Sequence, residues 1–238
     1  MESVSMRLEA TVKETIQRTP DVISIRFNRP KEFNYLPGQY IYVELKVKMG
    51  HVEKHFTLSS SPTEQSHIEL TKRLTGHDFA NALAALRVGD KVKIDGPEGN
   101  FTFTGEYEKI FPLTGGIGIT PVRSMIRYCT DEKLDTDITL LYSNSSEDNI
   151  IFRDELDEMQ TENSKLKVIH TVTQPKDGWN GLTGRINGRM IREEVPDFMD
   201  RVSYICGPPK MVDDMVSILI KELKTPKKMV KYEYFPGY

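Results

Sequence analysis

The chain contains 238 residues, of which 38% are hydrophobic, and its formal net charge is −3 at pH 7. This length accommodates two modest domains, and no apolar run approaches the roughly 20 residues of a membrane span. The mild acidity argues against nucleic-acid binding, and two cysteines are too few for a structural zinc site or a four-cysteine iron-sulfur cluster. The N-terminus shows no signal-peptide pattern, so we expect a cytoplasmic protein without membrane insertion and without a bound metal.

The first half predicts a six-stranded antiparallel β-barrel. Between about residues 6 and 96, β-branched and polar residues alternate, as in residues 22–27 and 91–94. A period of two indicates strands with one buried face. Turn sequences separate these strands, and one helix is expected at 78–86.

After residue 105 the pattern changes to alternating strands and helices. Strands are expected at 110–113, 138–143, 168–173, 202–205 and 230–235, and helices near 122–128, 152–159 and 211–223. This alternation is typical of a doubly wound parallel sheet covered on both faces. Pro112 is unusual there, because proline cannot donate to a sheet ladder. We therefore predict two domains, residues 1–105 and residues 106–238.

Two glycine-containing turns each follow a predicted strand in the second half and precede a helix. Gly115, Gly116 and Gly118 lack a Cβ, so their backbone amides can approach an anion without steric cost. The second turn runs from Cys206 to Met211. Since the carboxyl ends of parallel strands meet at one edge of a sheet, the two turns predict a single cleft for a phosphate-containing ligand.

Six short motifs appear in an order that resembles the ferredoxin-NADP reductase family of flavoproteins. They are LPGQY at 36–40, HFTLSSS at 55–61 (compare the family's RxYSxxS flavin motif), GDxVxxxGPxG at 89–99, GGxGxTP at 115–121, CGPPxM at 206–211 and EYF at 233–235. The resemblance covers nearly the whole chain. It implies that the first domain binds FAD, with FMN left open, and that the second binds NADH or NADPH.

By this resemblance, Thr57 takes the place of a serine whose hydroxyl meets flavin N5, and Phe56 that of a tyrosine packed on the flavin. His55 takes the place of an arginine that pairs with the cofactor phosphate. A neutral imidazole lacks the permanent charge of guanidinium, so Arg73 or Lys54 is expected to assist. The predicted flavin contacts are His55, Phe56, Thr57, Ser60, Arg73, Gly76 and His77.

Gly76 and His77 open a segment that corresponds to the family's GxxS segment, which offers backbone amides to the flavin diphosphate. Ala80 stands where serine is usual, and this leaves FMN open. In the second half, Glu147 and Asp148 follow a strand where the adenosine ribose is expected. An acidic acceptor suits a free 2′-hydroxyl, which gives a slight preference for NADH.

Arg153 and Arg185 leave NADPH open. The predicted nucleotide contacts are Gly115, Gly116, Gly118, Thr120, Pro121, Ser143, Glu147, Gly207 and Pro208. Cys206 matches a cysteine beside the nicotinamide, and Glu233 matches an active-site carboxylate in parts of the family. Together with Thr57 these are the predicted catalytic residues. Phe235 and Tyr238 belong to an aromatic tail that would shield the flavin and move aside for nicotinamide.

The resemblance therefore implies a flavoprotein reductase in which hydride passes from nicotinamide to flavin in a cleft between the domains. Electrons then go to a separate acceptor such as a ferredoxin, flavodoxin, cytochrome or oxygenase component. One alternative is an electron-transfer subunit of a multisubunit dehydrogenase, of the dihydroorotate dehydrogenase type. A second is a nucleotide-binding regulatory domain that has lost its flavin, because His55, Phe56 and Ala80 all depart from the family pattern. The oligomeric state is left open.

Overall fold

A computed structural model describes residues 4–235 of the chain. Two compact units are present. Unit one comprises the described residues up to Thr104 together with Thr120–Tyr128, and unit two comprises Gly105–Ile119 and the described residues from Cys129 onward. The assignment of 120–128 to unit one differs from a simple division of the chain at residue 105. No helix within residues 4–235 has both the length and the apolar character needed to cross a membrane.

Unit one is built on a curled antiparallel sheet of six strands with the order β4-β3-β6-β1-β2-β5. The strands are β1 (Met6–Thr19), β2 (Val22–Phe27), β3 (Tyr40–Val47), β4 (Gly50–Thr57), β5 (Ile68–Arg73) and β6 (Lys91–Glu98). The first part of β1, residues 6–11, pairs with β6, and its second part, residues 12–19, pairs with β2. A register shift between Val12 and Glu14 lies at this change of partner, as expected where a strand bends.

An antiparallel bridge between Leu58 and Leu70 joins the chain just after β4 to β5, the strand at the opposite edge. The sheet therefore curls around a core that includes Phe27, Ile41 and Leu70. Helix α1 (Asp78–Ala84) adds Phe79 and Leu83 to that core. The predicted antiparallel six-stranded barrel is confirmed.

Unit two is built on a parallel sheet of six strands with the order β10-β9-β8-β7-β11-β12. The strands are β7 (Lys109–Gly115), β8 (Asp137–Asn144), β9 (Leu166–Val172), β10 (Leu182–Thr183), β11 (Val202–Gly207) and β12 (Val230–Tyr234). The helices are α2 (Ile119–Asp131), α3 (Arg153–Glu162), α4 (Gly188–Glu194) and α5 (Pro209–Ser217). A π-helical turn, Ile218–Glu222, follows α5.

The chain moves in one direction across the sheet from β7 to β9 and in the other from β11 to β12. Right-handed crossovers therefore put α3 and α5 on opposite faces, which confirms the predicted doubly wound sheet. Pro112 is accommodated in β7 because the ladder to β8 pairs residues 109–110 and 113–115 and skips Phe111 and Pro112. The pattern did not predict α4, and β10, with two residues, is too short for a clear period.

Candidate functional site

The two predicted glycine turns lie at the carboxyl ends of neighbouring strands. β7 ends at Gly115 and leads through a single 3-10 turn, Gly116–Gly118, into α2. β11 ends at Gly207 and leads into α5. Thr114 and Cys206 are paired in register between the two strands. This is the point at which the strand order reverses, and ligands of open parallel sheets bind there.

Glycine is required at these turns because the two backbones approach closely. A Cβ on Gly118 would lie 2.4 Å from the Cys206 carbonyl oxygen and 2.6 Å from Thr114 Oγ1. Gly207 has φ +142°, and a Cβ there would lie 2.4 Å from Met211 Cε. The Thr114 hydroxyl donates to the Cys206 carbonyl at 3.0 Å. The turns are therefore held against each other, and a side chain at Gly118 or Gly207 would collide with neighbouring protein atoms.

Cys206 is fully buried, and its Sγ lies 3.0 Å from the Gly118 carbonyl oxygen. Burial raises the pKa of this thiol well above its usual range. The thiol is therefore neutral at physiological pH and is not an activated nucleophile. It can pack beside a ligand bound at these turns without reacting with it.

Glu233 lies directly opposite Cys206 in the ladder between β11 and β12. Its Oε2 is buried and has no hydrogen-bond partner among the residues that the structure describes. Burial raises the pKa of Glu233 to about 7, so this carboxyl exchanges a proton near neutral pH. The backbone N–H of Phe235 donates to the Gly207 carbonyl at 2.8 Å and ties the end of β12 to the second turn. Tyr238 lies outside the described residues.

The predicted ribose region brings together the segments that follow β8 and β9. Ser143 lies near the end of β8, and Glu147 begins the short 3-10 turn after it. The backbone N–H of Lys176 donates to both carboxylate oxygens of Glu147, at 3.1 and 3.4 Å, and the Lys176 ammonium pairs with Asp148. Sequence reasoning missed Lys176, because only the fold places the segment after β9 beside these two acids.

Strand alternation divides the predicted flavin segment between two faces of β4. Phe56 is 4% exposed and stacks on Phe79 of α1, with ring centroids 5.7 Å apart. The Lys54 ammonium lies 5.7 Å from the centroid of the same Phe79 ring. His55 faces the other way, against Tyr40 at 5.3 Å and a second tyrosine, Tyr42. Lys54 and Phe56 thus lie on one face. The family's RxYSxxS spacing places arginine two residues before the aromatic, which matches Lys54 and not the predicted His55.

A second cation, Lys72, follows Ile68 and Leu70 on the core-facing side of β5 and is 7% exposed. Burial, together with the charges of Lys54 and Arg73, lowers its pKa to about 8. Arg73 points elsewhere and pairs with Asp21 at 3.1 Å. Sequence reasoning missed Lys72, although a lysine at the period-two position of two core residues is a detectable signal.

The remaining flavin predictions fall in two places. Gly76, with φ +74°, and His77 are exposed just before α1, and the side-chain amide of Asn81 donates to the Gly76 carbonyl at 2.9 Å. Ser60 is fully buried, and its hydroxyl accepts the backbone N–H of Glu69 at 2.8 Å and bonds to the Tyr35 hydroxyl at 2.8 Å. Its side chain therefore holds the loop after β4 in place.

Comparisons with known proteins cover both units. A model of the oxidoreductase FAD-binding domain matches residues 9–103, and a model of the oxidoreductase NAD-binding domain matches residues 113–217. The glycine betaine monooxygenase reductase subunit of Pseudomonas aeruginosa (strain UCBPP-PA14) is 34% identical over 202 residues, which are 82% of this chain and 55% of that protein. The chain thus spans about half the length of that relative.

NADH-cytochrome b5 reductase 1 of Aspergillus terreus is 30% identical over 218 residues, 86% of this chain and 74% of that protein. Among solved structures, flavohemoglobin from Malassezia yamatoensis with bound FAD and heme superposes with a TM-score of 0.84 at 26% identity, covering 96% of this chain and 60% of that one. The FAD/NAD-binding domain of Vibrio cholerae nitric oxide dioxygenase, with a TM-score of 0.85 and 21% identity, shares the fold over 95% of this chain and 98% of that one.

Proposed function

Since this chain belongs to the ferredoxin-NADP reductase family of flavoprotein reductases, we propose that it uses bound FAD to reduce a separate electron acceptor with NADH or NADPH. The observation that carries the proposal is the pair of glycine turns that meet at the carboxyl ends of β7 and β11, where close packing leaves no room for a side chain at Gly115, Gly118 or Gly207. Amides of such a loop, together with the N-terminus of α2, suit the phosphates of a dinucleotide.

The first unit fits a flavin with a phosphate. Lys54 and Lys72 supply two cations on one side of the sheet, and a phosphate between them would relieve their mutual repulsion. We therefore assign the phosphate-binding role to Lys54 and Lys72, whereas the prediction was His55 assisted by Arg73 or Lys54. The exposed backbone at Gly76 and His77 offers further donors to the same group. Phe56 as a direct flavin contact stays a prediction, because its ring packs on Phe79.

When bound, FAD supplies the chemistry that accepts a hydride and passes electrons on singly or in pairs. By the family resemblance, Thr57 keeps a hydroxyl at the position expected to meet flavin N5. Cys206 presents a neutral, compact side chain that packs without reacting. Glu233 holds a proton below about pH 7 and releases it above, so it can take up or give back a proton during turnover.

We propose NADH as the preferred donor. Glu147 and Asp148 provide two carboxylates where a 2′-phosphate would need cations, and the nearby Lys176 ammonium is already paired with Asp148. The names of two relatives, a monooxygenase reductase subunit and an NADH-cytochrome b5 reductase, favour an oxygenase component or a b5-type cytochrome as the acceptor.

An anaerobic titration tests this function. Purified protein supplied with FAD should turn yellow, and NADH should bleach it at lower concentration than NADPH does. Gly118→Ala should retain FAD but lose bleaching by NADH, because the new methyl group meets the Cys206 carbonyl. Gly188→Ala is the matched control, since the three atoms nearest to its new methyl group all belong to the half-exposed side chain of Glu222. Protein that stays colourless but still binds NADH would instead be a nucleotide-binding regulatory domain.

A further inference from the structure

Helix α2 carries a group of buried polar side chains that the proposed function does not use. Arg123 is 4% exposed, and its guanidinium pairs with both carboxylate oxygens of Glu64, one of them at 3.1 Å. The same guanidinium donates to the Ser59 carbonyl at 3.1 Å. The neighbouring Ser124 is fully buried, and its hydroxyl donates to the Ser60 carbonyl at 2.6 Å.

These bonds hold one continuous piece of unit one. Glu64, the partner of Arg123, also accepts the backbone N–H of Ser61 at 2.6 Å. The carbonyls of Ser59 and Ser60 and the amide of Ser61 are thus all bonded to α2 or to its ion-pair partner. Because a two-point guanidinium–carboxylate pair fixes orientation as well as distance, the loop after β4 has one preferred position relative to α2.

The next residue of α2 adds a close apolar contact in the same unit. Met125 packs closely against the backbone of Gly38. A Cβ on Gly38 would lie 2.7 Å from Met125 Cε and 2.1 Å from the Phe101 carbonyl oxygen. Gly38 has φ +100°, a conformation that glycine adopts without strain. Residues 123–125 therefore contact both the LPGQY turn and the loop after Thr57.

The same helix begins where the dinucleotide loop ends. Gly116–Gly118 run directly into Ile119, the first residue of α2. A hydrogen-bonded helix of 13 residues moves as one body, so a ligand that orders its first turn also restricts residues 123–125 one turn later. No other contact is needed to transmit this restriction.

We propose that Arg123 and Ser124 are positioning residues that couple the two ligands. Nucleotide bound at the loop restricts the motion of α2, and α2 in turn restricts the segment that follows Thr57. Each ligand therefore increases the affinity of the protein for the other. This inference rests on the proposed function, because it requires one protein that binds both FAD and a pyridine nucleotide. Coupling of this kind is reciprocal by thermodynamic necessity.

Equilibrium titration of the full chain measures the coupling. The dissociation constant of FAD is determined with and without saturating NAD⁺, whose oxidised ring prevents electron transfer. The unmodified chain should bind FAD at least about fivefold more tightly with NAD⁺ present. In Ser124→Ala this ratio should fall toward one. A residue that only stabilised the fold would change both constants equally and leave their ratio unchanged.

Two further variants complete the test. Arg123→Lys keeps the charge opposite Glu64 but loses the two-point contact, so its ratio should fall between those of Ser124→Ala and the unmodified chain. Ser217→Ala, on α5, is the control and should keep the full ratio. FAD should raise the affinity for NAD⁺ by the same factor in the unmodified chain, which tests the coupling without any variant.

A ratio of one in the unmodified chain, or an unchanged ratio in Ser124→Ala, would overturn the coupling while leaving the reductase function intact. Failure of the unmodified chain to bind FAD would overturn both.

Discussion

The buried carboxyl of Glu233 should make unit two less stable as the pH rises through neutrality. The native pKa of about 7 lies above the ordinary value of 4.5, so the native state binds more protons than the unfolded state between these values. Stability therefore falls with rising pH across this window. The cost is about 3 kcal/mol at pH 8, of which about 2.5 kcal/mol develops between pH 5 and pH 8.

Glu233→Gln removes this titration and keeps the shape of the neutral side chain. We expect the variant to gain about 2.5 kcal/mol over the unmodified protein between pH 5 and pH 8. Trp179, the only tryptophan of the chain, lies in unit two and reports its urea unfolding by fluorescence. His170, whose pKa is lowered by burial, contributes with the opposite sign but is common to both proteins, so it cancels.

Glu158→Gln, an exposed change on α3, is the matched control and should leave the pH dependence unaltered. If Glu233→Gln and the unmodified protein lose the same stability between pH 5 and pH 8, Glu233 is ionised in the native state and its assignment as a proton-holding group is wrong.

Three further predictions concern binding and rate. Thr57→Ala should slow flavin reduction by NADH roughly tenfold in single-turnover measurements, Thr57→Ser should restore it, and an equal loss in both would exclude the hydroxyl. Glu147→Arg should raise the ratio of kcat/KM for NADPH over NADH, and an unchanged ratio would remove Glu147 from the ribose site. Lys72→Met should raise the FAD dissociation constant about tenfold without lowering the melting temperature, because it removes a buried charge. The exposed Lys46→Met should alter neither quantity, and equal FAD affinity in both lysine variants would exclude Lys72 from the phosphate site.

Periodicity predicted the architecture well because each unit repeats one simple pattern. Alternation at a period of two follows directly from strands that bury one face, and the strand–helix alternation after residue 105 follows from a parallel sheet. The turns at Gly115–Gly118 and Cys206–Gly207 were also predictable, because close packing there leaves no room for a Cβ. The expected chemistry came from the family resemblance, and membership of that family is confirmed.

The side-chain partnerships were less predictable because they join residues far apart in the sequence. Nothing local to Lys176 indicates that it meets Glu147 and Asp148. The ion pair between Arg123 and Glu64 likewise depends on the path of the whole chain. The position of Lys54 was within reach of sequence reasoning, because alternation along β4 already separates it from His55.

The inclusion of residues 120–128 in unit one has a consequence for synthesis on the ribosome. A nascent chain that ends at residue 105 contains every strand of the curled sheet, yet it lacks the arginine that neutralises Glu64 and the hydroxyl that caps the Ser60 carbonyl. Residues 120–128 also cover Glu64 and the Ser60 carbonyl, so both groups stay more exposed to water until this segment is present. The first unit therefore acquires its full set of contacts only after residue 128 has been translated, and a genetic cut between the two halves would yield a fragment that lacks them.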